Sequence, residues 1–176
     1  PGTGKTLTAC LLGKKTGLSV FRIDLSQVLS KYIGETEKNL ARLFDRAQHQ
    51  DWILFFDEAD SLFGKRIDSH TSNDRAANQQ VSYLLQRIED YAGLTILATN
   101  LRTHLDNAFA RRFQSIIHFP MPNAEQRLHL WQDTFLNKPF IVADDIDFEG
   151  LAHKYELPGG SIINILHYAC IKAIKR

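Results

Sequence analysis

Three short stretches of this chain carry residues whose types and spacing could do chemistry. The first is Gly2-Thr3-Gly4-Lys5-Thr6, followed by Leu7. Glycines let the backbone curl so that successive N–H groups point at one anion, and a helix starting there adds its partial positive charge. In that reading Lys5 is a point charge for the β and γ phosphates of a nucleotide, and the Thr6 hydroxyl is a ligand for Mg2+. Alone, Gly-Lys-Thr fits an ordinary glycine-rich helix start equally well. The second stretch is Asp57-Glu58, two carboxylates closing the apolar run Ile53-Leu54-Phe55-Phe56. Asp57 would hold a magnesium ion through water, and Glu58 would orient and deprotonate an attacking water. A solvated acidic strand end is the bland alternative, but it leaves the order of phosphate turn, apolar strand and adjacent acids unexplained. The third is Asn100, the amide that tips Leu94–Thr99. It could hydrogen-bond both a γ-phosphate and the attacking water, or serve only as a turn residue.

Such groups must be held by regular elements, and the apolar spacing alternates between the two periods that build them. Leu18–Asp24 has strand composition, and Leu40, Leu43, Phe44 and Ala47 fall at helical spacing. Trp52–Phe56 reads as a strand buried on both faces. Val81, Leu84, Leu85 and Ile88 mark a second helix, which Asn73 or Asp74 could cap. Leu94–Ala98 is another strand, and Ser115–Phe119 a last short one before Pro120-Met121-Pro122. Strands alternating with helices imply an α/β fold with a mostly parallel sheet. Beyond the prolines the pattern turns helical. Asn123 and Gln126 form a capping box for a helix carrying Leu128, Trp131 and Phe135. Phe148–Tyr155 follows, and Pro158-Gly159-Gly160 precedes a helix with Ile162, Ile165, Leu166 and Ala169 inward. These patterns place an α/β core at residues 1–122 and a small helical domain at 123–176.

Bulk composition narrows the classes. The chain has 176 residues, room for one medium domain with a small appendage, and a net charge of +1 with both signs interspersed. No basic field argues for nucleic acid, and no apolar run approaches the length that spans a bilayer. Cys10 and Cys170 lie near opposite ends, form no metal spacing, and read as reduced core thiols of a cytoplasmic protein.

With the three stretches in this order, the chain resembles the AAA+ ATPases, and within them the AAA subfamily of protein-remodelling motors. PGTGKT resembles the Walker A motif, ILFFDEAD Walker B, ILATN the sensor 1 strand, and ATNLRTHLDNAFARRFQSIIHFPMP the second region of homology. The resemblance implies a parallel-sheet P-loop core with a helical lid, and ATP and Mg2+ bound by Gly2, Thr3, Gly4, Lys5, Thr6, Leu7 and Asp57. Glu58 and Asn100 would be catalytic. It also implies a homo-oligomeric ring, usually hexameric, acting on a protein substrate. The arginine finger that reaches a neighbour's γ-phosphate maps to Arg112, before Phe113, with Arg111 the adjacent candidate. Lys31-Tyr32-Ile33-Gly34-Glu35 resembles the first pore loop, in which Tyr32 and Ile33 would grip an extended polypeptide; stapling the next helix is the alternative. Phe63–Asn73 would be a second channel-facing loop or a solvated linker. Gly159 and Gly160 would pack the lid against adenine.

The departures are specific. A second finger position holds Ser115, the sensor 2 position holds Ile163, and Asp90-Tyr91-Ala92 reorders a segment that carries nucleotide state between protomers in several ring proteases. A nucleotide-dependent switch or assembly platform that threads nothing is the competing reading. A nucleic-acid-loading relative is a third, disfavoured by the balanced charge. The chain starts at Pro1, already inside a motif, and ends within a helical pattern. In this family the strand feeding the phosphate turn runs through the centre of the sheet, so that strand is expected before Pro1. Residues 1–176 by themselves are therefore expected to bind ATP poorly or not fold.

Overall fold

The structure, a computed structural model, describes residues 2–25, 35–60, 72–100, 110–136, 138 and 140–174. They fall into two compact units, Thr6–Ile116 and Ile117–Arg176 together with the first five residues.

In the larger unit, helix α1 (Lys5–Thr16) leads into strand β1 (Val20–Asp24), then α2 (Glu35–Gln50), β2 (Ile53–Asp57), α3 (Ser72–Asp90) and β3 (Thr95–Leu97). The strands pair in parallel in the order β1-β2-β3, with Asp24 opposite Asp57 and Phe56 opposite Leu97. Parallel neighbours need crossover connections, and helices α2 and α3 lie within them. Residues 53–56 of β2 are all buried. Leu54 and Phe56 enter a cluster with Leu40, Phe44 and Ala47 of α2 and Val81, Leu84 and Leu85 of α3. Phe55 points the other way, onto Ala9 of α1 and Ala98. The continuous apolar run is thus a strand covered on both faces, as its composition predicts.

Tyr91 closes the far end of this core. Its ring meets Phe44 edge-on with centroids 5.9 Å apart, and its hydroxyl donates to the Trp52 carbonyl. The aromatic of Asp90-Tyr91-Ala92 therefore ties the end of α3 to the start of β2. Burial, and secondarily the Asp51 carboxylate, push the Tyr91 phenol above its ordinary 10.0.

The smaller unit packs α4 (Ala124–Phe135), α5 (Phe148–Lys154) and α6 (Gly159–Ile174). The capping box of Asn123 and Gln126 is formed, with the Gln126 N–H donating to Asn123 Oδ1 at 2.8 Å. Trp131, Phe135, Ala152 and Ile162 make the core. Arg127 is buried as well, and its guanidinium donates to the carbonyls of Ala152 at 2.8 Å and Pro122 at 2.6 Å.

Four expectations are corrected. Ser115–Phe119 joins no strand ladder, and Ile116 and Ile117 are exposed. A β segment needs a neighbouring strand for its N–H and C=O groups, and β3 pairs only with β2 among the described residues. Cys10 is exposed and Cys170 half-buried, so neither is a core thiol. Helix α1 buries Ala9 and Gly13, one turn apart, which turns Cys10 off the packed stripe. On α6, Ile162 is buried and Leu166 packs beside the core, but Ile165 and Ala169 are exposed. That helix meets its neighbours along a single narrow stripe. Helix α3 begins at Ser72, so Asn73 and Asp74 fall inside its first turn.

Tyr91→Phe should lower stability by about 1 kcal/mol at pH 7, the net worth of one buried hydrogen bond. The raised phenol value means that the unfolded chain loses its proton first. The associated stability is complete below pH 10.0 and is lost as pH climbs through the folded value. Urea unfolding should therefore show the gap between parent and variant narrowing above that pH.

Candidate functional site

Gly2 and Gly4 adopt φ of +78° and +101°, the left-handed region that side chains rarely enter. This curls the chain into α1, which starts at Lys5, so Lys5 and Thr6 occupy the helix N-terminus, where backbone N–H groups favour an anion. The Gly160 N–H, at the start of α6, donates to the Gly2 carbonyl at 3.0 Å. A Cβ on Gly160 would lie 3.1 Å from the Gly2 Cα, so only glycine fits without displacing the turn.

Thr6 Oγ1 donates to Asp57 Oδ2 across 3.4 Å. The hydroxyl and carboxylate read as Mg2+ ligands thus come together in the larger unit, one from the start of α1 and one from the end of β2. Oxygen donors suit a hard cation. No group of three or more His, Cys, Asp or Glu side chains among the described residues forms a metal cage. One carboxylate and one hydroxyl fit Mg2+ of the kind whose remaining ligands are substrate phosphates and water.

Asp57 has two further partners. Its Oδ1 accepts from the Glu58 N–H at 3.0 Å, and its Oδ2 accepts from Arg22 Nη2 at 2.7 Å. Arg22 lies on β1 with its side chain 62% exposed, against 16% for Asp57, so solvent screens the pair and its net worth is about 0–1 kcal/mol. Sequence reasoning missed Arg22. The available signal was a lone cation inside an apolar strand, two residues before Asp24 and so on the same face of the strand.

Glu58 follows directly and is exposed, with φ of +53°. A left-handed backbone is uncommon for a residue with a Cβ and costs on the order of 1–3 kcal/mol, which surrounding contacts must offset. Those contacts come from the end of β3. The Ala98 N–H donates to Phe56 O at 2.8 Å, and the Ala59 N–H donates to Ala98 O at 2.9 Å. Asp60 Oδ1 accepts from the Thr99 hydroxyl and from the Asn100 N–H, the latter at 2.8 Å. The acids of β2 and the amide of Asn100 are thus on neighbouring strand ends. Asp60 was also missed, because a third acid after two reads in sequence as part of a solvated cluster.

Arg112 Nη1 pairs with Glu89 Oε1 at 2.7 Å, both partners being more than two-fifths exposed. Arg111 is exposed beside it, and Phe113 packs against the main core, which fixes the turn that carries both arginines. Ile163 is exposed on α6. Tyr32, Ile33 and Gly34 lie outside the described residues, as does most of Phe63–Asn73.

The profile of the family described as ATPase family associated with various cellular activities (AAA) matches residues 1–121. The uncharacterized AAA family ATPase y4kL of Sinorhizobium fredii is 36% identical over 99% of this chain and 51% of its own length. A katanin p60 ATPase-containing protein of Danio rerio is 32% identical over the whole chain and 38% of its own length. The proteasome-activating nucleotidase of Methanocella arvoryzae is 37% identical over 86% of the chain and 38% of its own length. The chain therefore spans about half, or less, of the length of the curated relatives it matches.

Gly4→Ala tests the turn. Nothing lies within 4 Å of the added methyl, so any effect comes from backbone conformation alone. The variant should be less stable by about 1–2 kcal/mol in denaturant titration, the usual cost of a left-handed non-glycine residue.

Proposed function

This chain belongs to the AAA ATPase family, and from that premise we propose that it binds and hydrolyses MgATP and uses the energy to remodel a protein substrate within a ring of its own copies. The observation that carries the reading is the meeting of Thr6 with Asp57, 51 residues apart in sequence, at the carboxyl end of a parallel sheet. Ligands of open α/β sheets bind at that end.

The turn Gly2–Thr6, with Leu7 behind it, holds the phosphates through backbone N–H groups and the Lys5 charge. Gly159 and Gly160, which lie against Gly2 within the smaller unit, are assigned to nucleotide binding on the family resemblance. Thr6 and Asp57 would hold Mg2+, which when bound neutralises charge on the phosphates. Asp57 is oriented for this by three donors, Thr6, Arg22 and the Glu58 N–H. Glu58 accepts the proton of the attacking water, and Asn100 positions that water. Arg112, with Arg111 as its neighbour, completes the site of the next protomer once it leaves Glu89. The exposed Arg112–Glu89 pair is worth about 0–1 kcal/mol, so this exchange is cheap.

The relatives support the protein substrate. One is named for the katanin p60 ATPase and another as a proteasome-activating nucleotidase. In the proposed ring Tyr32 and Ile33, with Gly34 as the flexible turn, grip the polypeptide. The balanced charge disfavours nucleic acid as the track, and no helix among the described residues is long and apolar enough to cross a membrane. A cytoplasmic setting is the simplest one for this activity.

Glu58→Gln should keep nucleotide affinity within about threefold while turnover falls at least ~100-fold, the range of a lost general base. Parental turnover in that variant would refute the assignment. Tyr32→Ala separates a threading motor from a switch or assembly platform. A motor should retain ATP hydrolysis but lose substrate unfolding, measured with a fluorescent reporter protein, whereas a platform should keep its partner function intact.

A further inference from the structure

We propose that Asp60 is the positioning residue of this site, a clasp that fixes the Glu58 turn against the Asn100 loop. The inference rests on the roles just proposed for Glu58 and Asn100, and its evidence is separate from theirs. Glu58 holds a left-handed backbone, φ +53°, at the one point where the chain leaves β2. Such a conformation persists only when its surroundings over-determine it. Two backbone bonds reach Ala98 from either side of the turn, through Phe56 O and the Ala59 N–H. Beyond them, Asp60 Oδ1 receives both the Thr99 hydroxyl and the Asn100 N–H.

The two backbone bonds fix residues 56, 59 and 98. Asp60 extends that hold by two residues, to the peptide of Asn100, whose side chain must meet the attacking water. The carboxylate is half-buried, where a charge-assisted bond from a backbone N–H is roughly twice as strong as a neutral one. Rotation of the Asn100 peptide would break this bond and move the amide relative to Glu58. Displacement by about 1 Å can cost on the order of 100-fold in rate when two groups must act on one water. Asp60 itself touches neither phosphate nor water in this scheme, so its loss should act on the rate and leave nucleotide binding in place.

The test compares Asp60→Ala, Asp60→Asn and Glu58→Gln in the full-length protein, with steady-state ATP hydrolysis, fluorescent-nucleotide affinity and amide hydrogen exchange at Asn100. Asp60→Ala should lower kcat about 10- to 100-fold with KM and nucleotide affinity within about threefold. Exchange at the Asn100 amide should accelerate at least ~10-fold. Asp60→Asn keeps an acceptor oxygen at the Oδ1 position and should recover most of both losses. The proposal is overturned if Asp60→Ala retains kcat, if its affinity falls in step with its rate, or if exchange at Asn100 is unchanged. It is also overturned if the asparagine variant is as impaired as the alanine variant. Parental turnover by Glu58→Gln would instead remove the catalytic reading, and the clasp would then stand or fall on the exchange data.

Discussion

Leu54 and Phe56 point into one apolar cluster and Phe55 into another, so β2 is stable only with helices on both of its faces and strands on both of its edges. That single constraint organises the larger unit. Helices α2 and α3 supply one cover, α1 supplies the other, and β1 and β3 complete the hydrogen bonds of the central strand. Burying the four residues Ile53–Phe56 removes them almost entirely from water. At about 1.5–3 kcal/mol per large apolar side chain, they outweigh any single polar contact of the site. The core can therefore support a left-handed Glu58 and the exposed charges around it.

The same strand exports its order to the chemistry. Its last residue, Asp57, emerges where the apolar cover stops, and the Thr6 hydroxyl meets it because α1 packs through Ala9 on the Phe55 face. Its next residues turn sharply and are stapled to the end of β3. The acids and the Asn100 peptide are thus joined by hydrogen bonds at neighbouring strand ends, and Thr6 reaches Asp57 from a helix packed on the same strand. The arginine pair at 111–112 sits on a turn held by Phe113, and the ion pair of Arg112 is a screened surface one. In the proposed reading, the groups that would act on the bound nucleotide stand on hydrogen-bonded strand ends, and the arginine that would act on a neighbour is held on its anchored turn only by a screened surface pair.

Much of this is legible in the residues. The β2 run, the stripes Leu40-Phe44-Ala47 and Val81-Leu84-Leu85, and the capping box at Asn123 are local patterns whose period states their burial or whose spacing states their bond. Ser115–Phe119 misleads for a physical reason. Its composition suits a strand, but a strand exists only beside another strand, and no local pattern supplies the neighbour. Cys10 and Ile165 mislead similarly, since an apolar or thiol side chain on a helix is buried only if something covers that face.

What the sequence determined by itself is the inventory and its order. It holds a glycine turn before a helix, acids at the end of a doubly buried strand and an amide at the end of the next, because these depend on residue type and on spacing along one element. Only the tertiary structure decided which distant groups share a bond. Arg22 on Asp57, Asp60 across to Thr99 and Asn100, Gly160 on Gly2, and Tyr91 across to the Trp52 carbonyl all join segments far apart in sequence. Those contacts follow from the register of parallel strands and the packing of helices, quantities set by the whole core and encoded in no single stretch of it.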